Sequence, residues 1–218
     1  MRTIALGSVL LLTACGNNQG PTLVRTTVWN LFPFDGQRTW DFVNESNEAP
    51  YRLMGSIVGD PDIVGRRSVY AVSYVKECRF QGEDCVDGDE VLNLRWSSDP
   101  SDGVLLHGFT TDGFFSRLRP PVMLTSDTAQ RNEVFTTTSG ELEWSSTFLG
   151  IQDCPVTFTN EWQCGVFELS TNAEEPVPVE GTIWAVRGHG IVGMELAGDY
   201  GLWRLANDGC TGECDGEW

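Results

Sequence analysis

The feature that most constrains this chain is a period of two in its apolar residues. Leu92, Leu94 and Trp96 share one face of a run whose other face carries Asn93, Arg95 and Ser97. Leu142, Trp144 and Phe148 stand opposite Glu141, Glu143, Ser145 and Thr147, and Tyr51, Leu53 and Ile57 alternate with Arg52 and Ser56. Successive side chains of a strand point to opposite faces, so this pattern specifies antiparallel strands with one face packed and the other wet. Val69 to Val75 is apolar on both faces, as a central strand is. No comparable stretch keeps a 3.6-residue repeat, and only Asp127 to Glu133 reads as one or two helical turns.

Turn residues punctuate these runs. Gly59-Asp60-Pro61-Asp62, Asp87-Gly88, Asp102-Gly103, Asp112-Gly113, Ser139-Gly140 and Gly198-Asp199 each supply the chemistry of a tight reversal. Gly188-His189-Gly190, between Ile183–Arg187 and Ile191–Leu196, predicts a hairpin. The regular spacing predicts about twelve short strands in one all-β, antiparallel domain over residues 28–207, without internal repeat or linker. A sheet of that length must limit its exposed edges. A strongly curved half-barrel, a barrel or, alternatively, a sandwich would each do so.

The amino-terminal residues follow a different logic. Arg2 precedes the apolar run Ile4 to Leu12, which is too short to span a bilayer as a helix, and small residues end it. Leu12-Thr13-Ala14-Cys15 resembles the lipobox of bacterial lipoprotein precursors. The resemblance implies that residues 1–14 are a signal peptide removed on export. It also implies a diacylglycerol thioether on Cys15 and an acylated new amino terminus. Two or three acyl chains hold a protein stably on a membrane, whereas one holds it only weakly. Residues 15–27, with Gly16 to Pro21 rich in glycine and asparagine, then read as a flexible tether. Gly16 is not the aspartate that retains some lipoproteins at the inner membrane, so the expected address is the cell envelope, at the outer membrane.

Without its leader the chain keeps 204 of 218 residues, enough for a sizeable core. A 40% hydrophobic content with eight tryptophans argues against disorder. Arg2 is the only charge in the leader, so 13 basic side chains remain against 31 acidic ones, a net of −18. That field repels polyanions and excludes nucleic acid as a partner. Six cysteines remain once Cys15 carries lipid, and they fall as close pairs: Cys78 with Cys85, Cys154 with Cys164, Cys210 with Cys214. Fifteen connectivities are open to six cysteines, but an exported chain oxidises, and neighbour pairing clips short loops. The last pair lies in an acidic tail, residues 208–218.

Two stretches resemble uncharacterised exported β-rich bacterial lipoproteins. One is Asn30-Leu31-Phe32-Pro33-Phe34-Asp35-Gly36-Gln37-Arg38-Thr39-Trp40; the other is Trp184 to Glu195, containing Gly188-His189-Gly190-Ile191-Val192. Some such chains look similar to the curved half-barrels of the LolA/LolB lipoprotein-carrier type. The resemblance implies a curved sheet and carries no catalytic residue across. This chain departs from the carriers in lacking a long amphipathic helix to plug the sheet.

Candidate chemistry is sparse. There is no Gly-x-Ser-x-Gly elbow, and a serine triad would have to use His107 or His189. His189, between two glycines, reads as a turn residue, and His107 as a strand residue with a satisfied imidazole. Glu141 and Glu143 are a carboxylate pair, but alternation assigns both to the solvated face opposite Leu142 and Trp144, not across a cleft. Glu83, Asp84, Asp87, Asp89 and Glu90 crowd the Cys78–Cys85 clip and offer hard oxygen ligands for calcium. Their order departs from the EF-hand pattern, and hydrated acidic turns are the plainer reading, so no metal or cofactor is expected. The tryptophans either fill the core or line a groove. The expected role is a non-enzymatic, membrane-anchored binding or scaffold domain, with an apolar ligand or an envelope protein as partner. The alternatives are an envelope glycan hydrolase using paired carboxylates and a purely structural surface lipoprotein.

Overall fold

Strands form where the alternation is found. The structure, a computed structural model, describes residues 31–32, 39–44, 51–77, 88–154 and 163–207. Its strands are β1 (Thr39–Asn44), β2 (Tyr51–Ile57), the short β3 (Asp62–Val64), β4 (Arg67–Glu77) and β5 (Glu90–Asp99). There follow β6 (Gly103–Thr111), β7 (Phe114–Thr125), β8 (Glu133–Ser139) and β9 (Leu142–Asp153). The last are β10 (Gln163–Thr171), β11 (Gly181–Val186), β12 (Gly190–Leu196) and β13 (Gly201–Asn207). One antiparallel sheet runs β7-β6-β5-β4-β2-β1-β13-β12-β11-β10-β9-β8, with β3 paired to β4 beside this path. The expected all-β fold is therefore a single curled sheet, nearly closed into a barrel, and not a two-sheet sandwich.

Closure brings β7 alongside β8, but no backbone ladder joins them among the described residues. Pro120 and Pro121 interrupt β7 there, and proline has no N–H to give a ladder. Side-chain hydroxyls bridge the seam instead. The Arg119 N–H donates to Ser139 Oγ at 2.7 Å, the Met123 N–H to Thr137 Oγ1 at 3.3 Å, and the Ser146 hydroxyl to the Leu124 carbonyl at 2.6 Å.

The tryptophans fill the core. Trp40, Trp96, Trp144, Trp184 and Trp203 are all buried. Tyr74 packs its ring 5.8 Å from Phe42 and 5.3 Å from Trp203, and Phe109 meets Trp144 edge-on at 6.5 Å. On the neighbouring strands β9 and β10, Phe148 stacks on Phe167 at 5.1 Å. Between the two walls stands Phe32, 6.1 Å from Trp96 on β5 and 5.6 Å from Phe167 on β10. Its neighbour Leu31 packs against Gly165, where a Cβ would come within 2.7 Å of the leucine. Where a long helix was not to be expected, two apolar residues before β1 plug the sheet.

The turns follow their residues. Asp112 (φ 50°) and Gly113 (φ 76°) both take left-handed backbone, the type I′ geometry of a two-residue hairpin. Gly181 has φ 137°, and a Cβ there would collide with the Glu195 carbonyl oxygen, so only glycine admits the β11–β12 pairing. Asp127 to Glu133 is the exception to the sequence reading. It forms two successive turns, closed by Ala129 N–H to Ser126 O and Glu133 N–H to Gln130 O, with no helix. Asn132 at φ 64° breaks any helical continuation and starts β8.

These connections define two ends. At the Thr39 end lie the β2–β4 connection, the β5–β6, β7–β8 and β11–β12 turns, and the ends of β9 and β13. At the opposite, Asn44 end lie the β6–β7, β8–β9, β10–β11 and β12–β13 turns. The Cys154–Cys164 disulfide clips the β9–β10 connection at the Thr39 end, as adjacent pairing predicts. Cys15, Cys78, Cys85, Cys210 and Cys214 lie outside the described residues. If Phe32 ties the two walls together, Phe32→Ala will cost about 3–5 kcal/mol in chemical denaturation of the folded domain.

Candidate functional site

The polar group that sequence alternation places wrongly is Ser97. It belongs to the face of β5 that Asn93 and Arg95 share, yet it is only 2% exposed. Its hydroxyl lies 2.8 Å from Nε2 of His107 on β6, itself 8% exposed. Irregular pairing explains the approach. The register shifts between Arg95 and Trp96 against β6, and β6 shifts again between Leu106 and Gly108 against β7, so His107 sits at a bulge on both sides. Val69 and Leu105 are buried beside this pair but stand apart from the main core, which makes the outer face of β4–β6 a small second core.

Loops from both ends cover that face. Arg95 Nη1 donates to Asp62 Oδ2 at 2.8 Å, and its guanidinium lies 4.6 Å from the ring centre of Phe115. Phe115 packs so closely over β6 that a Cβ on Gly108 would meet it at 2.8 Å. Arg67 Nε pairs with Asp102 Oδ2 at 2.8 Å. Burial pushes the His107 pKa down from its ordinary value, and the guanidinium groups of Arg67 and Arg117 add to the effect. The imidazole is therefore held neutral at pH 7.

A serine bonded to a neutral imidazole is the core of a nucleophilic couple. Such a couple also needs a carboxylate on the far ring nitrogen and a serine that a substrate can reach. Among the described residues no carboxylate bonds His107 Nδ1, and both side chains are covered. The pair satisfies two buried polar groups, which is the role expected of His107 in a strand.

The other candidates fall apart spatially. His189 occupies the β11–β12 turn, where its N–H donates to the Val186 carbonyl and its own carbonyl accepts the Trp40 indole N–H at 2.7 Å. Glu141 and Glu143 are both exposed, on the same side of the β8–β9 hairpin. Of the calcium candidates, Glu83, Asp84 and Asp87 lie outside the described residues. Asp89 is exposed, and Glu90 Oε2 accepts the Ser73 hydroxyl at 2.5 Å and the Asn93 amide at 3.2 Å. Two interior indoles, Trp96 and Trp144, have no acceptor for their N–H groups among the described residues, whereas Trp203 donates to Tyr200 O at 2.7 Å. Comparisons with protein-family models, curated proteins and solved structures find nothing that matches this chain.

The sign of the His107 effect is testable. A base whose folded pKa is depressed binds a proton more readily unfolded, so its contribution to stability is complete above about 6.5 and is lost as pH falls below it. Urea midpoints measured from pH 7.5 to pH 5 will fall, and in His107→Gln that part of the fall will disappear.

Proposed function

We propose that this chain is a lipid-anchored domain of the cell envelope, on the outer membrane, acting as a non-catalytic binding or scaffold surface. Two kinds of observation support the reading. The leader, with Leu12-Thr13-Ala14-Cys15 after a short apolar run, supplies the anchor. The observation that carries the non-catalytic role is the filled interior. Phe32, Trp96, Trp144, Phe167 and Trp203 pack among themselves, so contacts with an apolar ligand or an envelope protein fall to the outer faces and the rims.

In this reading the chemistry of the envelope belongs to partners, and the domain supplies position and surface. The paired carboxylates that a glycan hydrolase would use, Glu141 and Glu143, face the same solvent instead of flanking a cleft. A net charge of −18 keeps the mature domain off anionic polymers and favours cationic or neutral contacts.

The anchor is the element to test first. Membranes extracted with detergent will yield a mature chain starting at Cys15, with acyl mass and three disulfides in its intact mass spectrum. Cys15→Ser will move the protein to the soluble fraction. A mature chain that retains Met1, or that washes from membranes in salt without detergent, would overturn the reading.

A further inference from the structure

We infer that the Thr39 end of the barrel docks flat on the lipid surface that holds the anchor, so that the Asn44 end points away from the membrane. The inference rests on the anchoring reading above and adds to it an orientation and a contact face.

Chain geometry comes first. Leu31 packs against Gly165 near the start of β10, and Phe32 against Trp96 near the end of β5; both positions belong to the Thr39 end. Leu31 lies sixteen positions after Cys15, a span of at most about 55 Å when fully extended. The lipidated residue is thus bound by a short leash to a point inside one mouth of the barrel. The path from lipid to fold is shortest when that mouth faces the bilayer.

Apolar exposure agrees. The large hydrophobic side chains exposed among the described residues are Val58, Ile63, Val64, Phe114, Phe115, Val134 and Ile151. All but the two phenylalanines sit at the Thr39 end. Val58, Ile63 and Val64 are on the β2–β4 connection, Val134 begins β8, and Ile151 is near the end of β9. Ile63 is 69% exposed and Val134 54%. In the strand order β4 and β9 are far apart, so these groups flank the mouth on two sides. Aliphatic side chains arranged about one end can enter the boundary between headgroups and acyl chains, where burial of apolar area strengthens attachment.

Charge differs between the ends. The Thr39-end connections are mixed, with Arg66, Arg131 and Arg187 beside Asp60, Asp62, Asp102 and Asp127. Four described turns at the Asn44 end, β6–β7, β8–β9, β10–β11 and β12–β13, hold Asp112, Glu141, Glu174, Glu175 and Asp199 and contain no lysine or arginine. An anionic membrane surface attracts basic side chains within about a Debye length and repels acidic ones. The Asn44 end is thus turned outward by repulsion, and the Thr39 end is the one a lipid surface tolerates.

The test uses the full lipidated chain reconstituted into phosphatidylethanolamine–phosphatidylglycerol nanodiscs, with acylation first verified by intact mass. Hydrogen exchange is compared with that of the otherwise complete Cys15→Ser chain in solution. Residues 58–66, 131–134 and 151–153 are expected to exchange about ten-fold more slowly on the disc, while 112–114 and 140–143 keep their solution rates. The triple variant Ile63→Ser, Val134→Ser, Ile151→Ser changes only exposed side chains. It is expected to stay anchored yet lose this protection, and Arg131→Glu with Arg187→Glu to do the same. An acylated chain with unchanged exchange at the Thr39 end, or with protection at the Asn44 end, overturns the orientation and leaves the anchor standing. A chain without acyl mass removes both.

Discussion

The fold depends on one packing contact, the insertion of Phe32 between Trp96 and Phe167. A sheet that curls without a full backbone seam has two arms that are free to open, because β7 and β8 lack the ladder that would lock them. Phe32 touches one arm through β5 and the other through β10, so opening the curl would expose three large aromatic side chains at once. Aromatic burial of this size outweighs the few hydroxyl bonds at the seam, each of which contributes about 1 kcal/mol. The seam hydroxyls of Thr137, Ser139 and Ser146 refine a closure that the interior drives. They satisfy β7 backbone groups that the prolines leave without a regular partner strand.

Much of this was legible in the residues, for a simple reason. Period-two alternation is a local property, and wherever it is strong, as in Leu92-x-Leu94-x-Trp96, the inward face follows directly. The hairpin at Gly188-His189-Gly190 and the turn at Asp112-Gly113 were equally local, because their backbone demands glycine or a residue that tolerates positive φ. Ser97 shows where local reading stops. Two bulges flanking His107 shift the register, and a second core covers a face that alternation assigns to water. Neither a bulge nor a covering loop leaves a period in the sequence. Leu31 and Phe32 were missed for a related reason, since two residues carry no period and their role is set by distant strands. Asp127 to Glu133 misled because helix-compatible residues hid the left-handed Asn132, whose backbone ends one turn and opens a strand.

The second core also sets the electrostatics of the Ser97–His107 pair. A catalytic serine and histidine depend on an environment that changes during a reaction, with a proton moving onto an imidazole that can bear it. Here the surroundings oppose that charge. Burial and the neighbouring guanidinium groups hold the ring neutral, and the aromatic lid of Phe115, fixed by Arg95 and Asp62, closes the face. The same groups that make the pair stable make it a poor base. Its value to the fold lies in letting two polar side chains sit on a dry face without an unmet hydrogen bond.

The interior is filled by aromatic groups, and the outer face of β4–β6 is covered by its own loops, which leaves the turns and strand ends as the varied surface. Those rims differ in kind: one carries aliphatic groups with mixed charge, the other glutamates, aspartates and the exposed Phe114. Under the proposed anchoring, a tether entering at one mouth would convert that difference into direction. In the proposed orientation, recognition by the outward rim would depend on its negative field for approach and on Phe114, at 78% exposure, for contact area. Both are properties of turns, the elements that a rigid barrel positions without needing to change itself.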